Sequence, residues 1–441
     1  MLDWILDKEF NFASKNIEDF SLENIKKALS VINNPHLKLK NIIHIAGTNG
    51  KGSTATFIHS ILRKSGYKAC LYTSPHIQKF SERIKINDNC ITDEELDKIS
   101  QYCKERISYL NLTFFEITTI IALIAFEKSN SDFVILETGL GGRLDATNIF
   151  DNKLCSILTS ISLDHQAILG QTLAEITKEK SGIINGSKYV FTSSQGKNLE
   201  ILEIIKEKSA KSKSKCFING EMFFANGRDE SKFYFRFPEY NYEIRQLESG
   251  ISGFHQIENS SIAIACCIIL KNHENAAKIT DTSIKIGIKS AYIAGRIERI
   301  NSKIVQKILP NNHKNIILYI DGSHNQDSIS KLSDYITNLS QNSTKIGIFS
   351  CLMDKNKKEI CNEISKMNLN HIYITQISSS QRAENVEKIY QNMQKYTNIQ
   401  SIKVKQNLQE IFLDIDKNKI NGNIFLFGSM FFLSDFYNYI S

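Results

Sequence analysis

The sequence predicts an α/β protein of two domains. The first holds a doubly wound parallel sheet with a small β appendage, and the second is a smaller Rossmann-like α/β unit. Three observations carry this. Short, nearly continuous apolar runs alternate with helix-compatible stretches, as strands buried on both faces do. A glycine-rich loop joins the first such run to a helical segment. An aromatic stretch with Asn-Gly pairs then interrupts the alternation, which afterwards restarts.

Taken in order, NIIHIA (41–46) is a short β-branched run that ends in the loop GTNGKGST (47–54). A helix is expected from about Gly52, stopping at Ser65-Gly66. KACLYT (68–73), DFVILET (132–138) and LCSILTSI (154–161) are the next strands, with helices at 93–109 and 116–128 between them. The stretch 216–247 has aromatic and β-branched runs split by Asn219-Gly220 and Asn226-Gly227, and reads as antiparallel hairpins. The basic run KEKSAKSKSK (206–215) reads as a solvated helix end or loop. From about Ala294 strands recur at 315–321, 345–351, 371–377 and 423–429. A hinge near 292–298 divides the chain into 1–294 and 295–441.

The chain has 441 residues, 41% hydrophobic and 23% charged, enough for a sizeable core in each domain. Its formal charge of +7 is modest for this length and does not demand a nucleic-acid partner. The nine cysteines are odd in number and lack CxxC spacing, which argues against a disulfide framework or a zinc site. The first residues carry acidic groups and do not read as a signal peptide, and no apolar run is long enough to span a bilayer. A cytoplasmic monomer without membrane or nucleic-acid partners is expected.

The loop carries the chemistry. Backbone N–H groups freed by small residues can point into one concavity, and the positive end of the following helix adds to the field. Gly47, Thr48, Asn49, Gly50, Lys51, Gly52, Ser53 and Thr54 supply three glycines, a lysine and hydroxyls between a strand and a helix. Lys51 can neutralise β- and γ-phosphate oxygens, and Ser53 or Thr54 can bond phosphate or magnesium. The usual pattern is broken in two places: Gly52 separates Lys51 from Ser53, and Ile45 stands where an early glycine is normal. Ligands of open α/β sheets bind at the carboxyl ends of strands. Ser74, Glu137, Asp164 and His165 all follow or end predicted strands, so they share the loop's rim. Oxygen ligands beside phosphates suit magnesium.

GTNGKGS resembles the loop of the Mur ligase family, and its Lys-Gly-Ser form resembles the folate branch, folylpolyglutamate synthase and dihydrofolate synthase. LYTSPHIQKFSERIKIN (71–87), FFEITTIIAL (114–123), ILETGLGGRLDATN (135–148), SLDHQAILGQTLAEITKEKSGII (162–184), GFHQIENSSIA (253–263), GRIE (295–298), DGSHN (321–325) and FGSMFFLSD (427–435) look like that branch in its order. The resemblance runs from 43 almost to the end of the chain.

This resemblance implies an N-terminal ATP-binding domain and a C-terminal glutamate-ligase domain. It implies that Ser74, Glu137 and His165 hold two magnesium ions. It implies that Lys180, in KEKSG, is carbamylated and helps to hold the second. Family members usually show Ala at Ser181, Ala at Ser323 and Pro at Ala294; without that Pro the hinge is less stiff. Asn259, Arg296, Asp321 and His324 match positions that contact ATP, Arg suiting phosphate through its bidentate fork. Arg83 matches a position that meets a carboxylate of the substrate or of the incoming glutamate. Arg143 and Asp145 lie on the loop beside Glu137, either as substrate contacts or as loop architecture, with Asp145 capping a turn. Phe115 and Glu116 are expected to border the pterin pocket.

The implied reaction is ATP-dependent amide formation through an acyl phosphate, adding L-glutamate to dihydropteroate or to the γ-carboxyl of a reduced folate, with the domains closing on ATP. A murein-precursor ligase is disfavoured by the TSPH…ERI segment and the Lys-Gly-Ser loop. A P-loop kinase is disfavoured by the offset loop and the Lys180 motif.

Overall fold

The apolar run around Ile43 forms strand β1 (Ile42–Ala46), buried at all five positions, inside an eight-stranded sheet. The computed structural model describes residues 3–6, 21–339, 343–399 and 401–441. These divide into two compact units, Met1–Gly250 with Gln256–Tyr292, and Ile251–His255 with Ile293–Ser441.

In the first unit, β2 (Ala69–Tyr72), β3 (Ile84–Ile86), β4 (Asn89–Cys90), β5 (Phe133–Glu137), β6 (Lys153–Leu158), β7 (Ser187–Thr192) and β8 (Lys215–Ile218) join β1 in the order β4-β3-β2-β5-β1-β6-β7-β8. All neighbours from β2 to β8 pair parallel, while β3 and β4 form an antiparallel edge. The register sets Ile43 between Ile135 of β5 and Cys155 of β6. Parallel strands covered on both faces need apolar residues at every position, which is why these runs do not alternate.

Helices Lys51–Lys64, Asp93–Ile107 and Phe114–Ser129 occupy the stretches expected of them. The last is buried along nearly its whole length, with Ile117, Ile120, Ile121, Leu123 and Phe126 in the core that covers β2 and β5. Burying each such side chain contributes about 1.5–3 kcal/mol. The basic run supplies the end of helix Leu199–Lys211 and the turn after it.

The expected hairpin segment is corrected in two respects. Lys215–Ile218 extends the large sheet, parallel to β7, because Phe217 packs on Phe191 at 5.1 Å. The appendage proper is β9 (Phe224–Asp229), β10 (Lys232–Phe237) and β11 (Tyr242–Leu247), antiparallel in the order β11-β10-β9. Asn226-Gly227 lies inside β9, opposite Tyr234 and Phe233, where a side chain at Gly227 would come within 2.5 Å of Phe233. The turn is instead made by Asp229, whose Oδ1 accepts the Ser231 N–H at 2.9 Å and the Ser231 hydroxyl at 2.6 Å.

The second unit is a six-stranded sheet of β12 (Glu298–Arg299), β13 (Ile316–Asp321), β14 (Lys345–Phe349), β15 (His371–Ile374), β16 (Ser401–Val404) and β17 (Gly422–Phe427), ordered β12-β13-β17-β14-β15-β16. Only the short β12 runs antiparallel. Among the described residues no helix is long and apolar enough to cross a membrane.

Candidate active site

The loop at the end of β1 is built by close approach. Gly47 and Gly50 have φ of +152° and +86°. A Cβ at Gly47 would lie 1.9 Å from Thr159 Oγ1, and one at Gly50 would lie 2.4 Å from Asn259 Oδ1. Neither position tolerates a side chain. Gly50 then caps helix Lys51–Lys64, so the helix's free N–H groups open on the loop.

The segment after β6 carries this loop. Ser160 O accepts the N–H groups of Thr48 at 2.8 Å and Asn49 at 3.3 Å. The Thr48 hydroxyl donates to Ser162 O and accepts from Ser162 N–H, both at 3.0 Å. Ser53 and Thr54 are buried in the first helical turn, and Thr54 Oγ1 has no hydrogen-bond partner. Asn259 flanks Gly50 from helix His255–His273 and donates to Gln256 Oε1 at 2.9 Å.

Two lysine side chains converge on the same carbonyl. Lys51 Nζ donates to Gly47 O at 3.1 Å and Thr48 O at 3.2 Å, and the buried Lys180 Nζ donates to Gly47 O at 2.9 Å. Burial, then the neighbouring Lys51 charge, pushes the Lys180 amine down to about 7, with Asp164 and Asp145 opposing. Near neutral pH this lysine is a partly uncharged amine.

Strands β5 and β6 flank β1, so their carboxyl ends stand about 10 Å apart on either side of the loop. On the β5 side, buried Glu137 accepts the Ser74 N–H at 3.0 Å. On the β6 side, Asp164 Oδ1 accepts the His165 N–H at 2.9 Å, and His165 holds a left-handed backbone with φ +52°. Among the described residues no three His, Cys, Asp or Glu side chains converge on one metal-sized position. The expected set draws also on the Ser74 hydroxyl. A buried carboxylate and a hydroxyl beside phosphate-loop donors fit a hard, oxygen-seeking cation.

The glycine-bearing loop after β5 packs on the backbone that presents Lys180. A Cβ at Gly142 would lie 2.5 Å from Lys180 O, and one at Gly182 would lie 2.5 Å from Arg143 Cα. Arg143 donates from its backbone to Glu179 O at 2.8 Å, and its guanidinium pairs with the Glu179 carboxylate at 2.9 Å. Asp145 is architecture: its carboxylate accepts the N–H groups of Gly139, Leu140 and Thr147 at 2.9, 2.9 and 3.0 Å. These bonds hold down a carboxyl that burial alone pushes upward. These bonds give Asp145 a loop-building role.

Arg83 is buried against Phe114, 5.2 Å from the ring centroid, and donates to His76 Nδ1 at 2.7 Å. Burial and this guanidinium push His76 down to about 4. Phe115 packs beside Tyr72, with ring centroids 5.9 Å apart and the planes tilted by 39°, and closes on Gly139. Glu116 opens the helix Phe114–Ser129. It completes a capping box in which Oε2 accepts the Thr113 N–H at 2.8 Å while Glu116 N–H donates to Thr113 Oγ1 at 3.2 Å.

In the second unit, Asp321 at the end of β13 accepts the N–H groups of Ile297 at 2.8 Å and Ser323 at 2.9 Å. Burial pushes its carboxyl up. It thereby holds Ile297 at φ +45°, an unusual conformation for a β-branched residue, next to Arg296. Arg296 reaches Gly295 O and Met430 Sδ, both at 3.3 Å, and His324 Nδ1 lies 2.8 Å from Gly322 O.

Residues 45–267 match the Mur ligase middle domain. The dihydrofolate synthase/folylpolyglutamate synthase of Bacillus subtilis is 35% identical over 76% of this chain and 76% of its own. The chain belongs to this folate branch of the Mur ligase family. A relative of the same name from Buchnera aphidicola of Schizaphis graminum is 30% identical over 95% of this chain and 91% of its own. The solved folylpolyglutamate synthase of Thermotoga maritima, 26% identical, superposes with a TM-score of 0.77 over 96% of this chain and 93% of that one. Membership makes the chain an ATP-dependent ligase. Sequence reading did not single out Thr159, Ser160 or Ser162, which carry the loop. Their only local signal is their place just past a strand end.

Proposed function

We propose that this ligase joins L-glutamate by an amide bond to dihydropteroate, to the γ-carboxyl of a reduced folate, or to both, through an acyl phosphate. The observation that carries this is the Gly47–Ser53 turn, where Lys51 and Lys180 meet one carbonyl beside a helix N-terminus. Lys51 and the helix N-terminus supply the positive charge for a triphosphate, and Lys180 ties its own helix end to the same turn.

Lys51 neutralises the β- and γ-phosphate oxygens, and the loop N–H groups orient the chain of phosphates. The substrate carboxylate attacks the γ-phosphorus and ADP leaves. The glutamate amine then attacks the acyl carbon, and phosphate departs from the tetrahedral intermediate. The protein supplies charge neutralisation and alignment in place of covalent chemistry. Ser74, Glu137 and His165 are the residues that would hold magnesium, which supplies further charge neutralisation on the phosphates when bound. The depressed amine of Lys180 suits carbamylation, because only the neutral amine attacks carbon dioxide. Arg83, buried beside the TSPH segment, is kept as the carboxylate partner. Asn259, Arg296, Asp321 and His324 are kept as nucleotide contacts on the resemblance. A cytoplasmic, monomeric enzyme completes this reading.

The test is phosphate release with ATP, magnesium and glutamate, comparing dihydropteroate with tetrahydrofolate and weighing the product by mass spectrometry. A product one glutamyl heavier with either acceptor is expected. Turnover with neither refutes the assignment.

A further inference from the structure

Gln195 stands in the bend after β7 and is not among the residues assigned above to the site. It is buried, and it holds a left-handed backbone with φ +51°, which favours glycine or asparagine over a long side chain. Its amide is fully engaged: Oε1 accepts the Ile161 N–H at 3.0 Å, and Nε2 donates to Thr159 O and Thr192 Oγ1, both at 2.9 Å. Thr159 to Ser162 is the segment that carries the phosphate loop. Its next residue, Ser160, receives the Thr48 and Asn49 N–H groups, and Thr159 itself fills the space beside Gly47.

The adjoining residue braces the other side. Ser194 donates its N–H and its hydroxyl to Glu258 Oε1 at 2.8 and 2.7 Å. Glu258 is followed directly by Asn259, which lies against Gly50. Two consecutive residues of one bend therefore hold the two surfaces on which the loop's two close-approach glycines rest.

We infer that Gln195 and Ser194 are positioning residues that set the phosphate loop from behind, Gln195 through Thr159–Ile161 and Ser194 through Glu258–Asn259. This rests on reading the Gly47–Ser53 turn as the triphosphate site. A strained backbone kept at a buried, fully bonded amide is what a constraint on geometry looks like, because a looser bend would cost less locally.

The test uses the full chain and a non-hydrolysable ATP analogue, with binding measured by calorimetry and KM and kcat measured in the ligase assay. Gln195→Met keeps the volume and removes all three bonds. It is expected to weaken analogue binding and raise KM for ATP about tenfold, leaving KM for glutamate within about twofold. Gln195→Glu retains an acceptor for Ile161 but sets an oxygen against Thr159 O, and should weaken binding at least as much as Met. Ser194→Ala removes one hydroxyl, keeps the backbone bond, and should raise KM for ATP about threefold; it decides the matter if Gln195→Met does not fold. Folded Gln195 and Ser194 variants that bind the analogue as wild type does overturn the inference, as does an equal rise in every KM. Lys51→Ala separates the two readings: if wild type and Lys51→Ala bind the analogue alike, the triphosphate site itself is misplaced.

Discussion

The amine of Lys180 offers the sharpest test of the site's electrostatics. Burial and Lys51 lower it from 10.5 to about 7. That displacement corresponds to roughly 5 kcal/mol against the ammonium form. At pH 7.5 a lysine with a value near 7 is about three-quarters neutral, whereas an ordinary one is neutral about once in a thousand molecules. Carbon dioxide reacts with the neutral amine alone, so carbamate formation at Lys180 should rise through about pH 7. The assay is carbon-13 NMR of the protein in labelled bicarbonate from pH 6 to 9, with Lys180→Met as the blank. A carbamate signal absent below about pH 9, or unchanged in Lys180→Met, refutes the reasoning. Stability gives the same answer by an independent route. The folded value lies below the unfolded one, so between about pH 7 and 10.5 the unfolded chain binds more protons. Stability therefore rises with pH through that window and is lowest beneath it. Lys180→Met should remove a gain of about 2 kcal/mol between pH 7 and 9 in urea unfolding of the first unit.

Further outcomes follow from single contacts. Gly50→Ala puts a Cβ 2.4 Å from Asn259 Oδ1 at a φ of +86°, and should cost about 1–3 kcal/mol and raise KM for ATP at least tenfold in steady-state assays. Glu116→Ala should lower stability by about 1 kcal/mol in thermal unfolding through loss of the cap; a large rise in KM for the folate acceptor would show a pocket-border role as well, and an unchanged KM would exclude it. Asp321→Ala leaves the Ile297 and Ser323 N–H groups without their acceptor. It should cost about 1–3 kcal/mol and accelerate amide exchange at Ile297, measured by hydrogen exchange.

Much of the fold is legible locally. Runs such as IIHIA and FVILE are apolar at every position because both faces of a parallel strand are covered, so the strands announce themselves without knowledge of their neighbours. β7 and β16 escaped because SKYVFT and SIKV mix polar residues with apolar ones. Asn226-Gly227 misled because an Asn-Gly pair is a turn signal only when the chain has room to turn there. Pairing with β10 kept it extended, and Asp229 turned the chain three residues later. Thr113 and Glu116 were readable as a capping box from their spacing alone.

By itself the sequence determined the glycine-rich loop between strand and helix, the strand–helix alternation and the family, since each is written in neighbouring residues and their spacing. The tertiary structure alone decided that Lys180 meets a carbonyl 133 positions away, that Asp145 serves its own loop, and that Gln195 stands behind the Thr159–Ser162 segment. The reason is physical. Periodicity and turn chemistry act over a few residues, whereas burial, a shifted amine and a satisfied buried amide are created only when distant segments pack and exclude water.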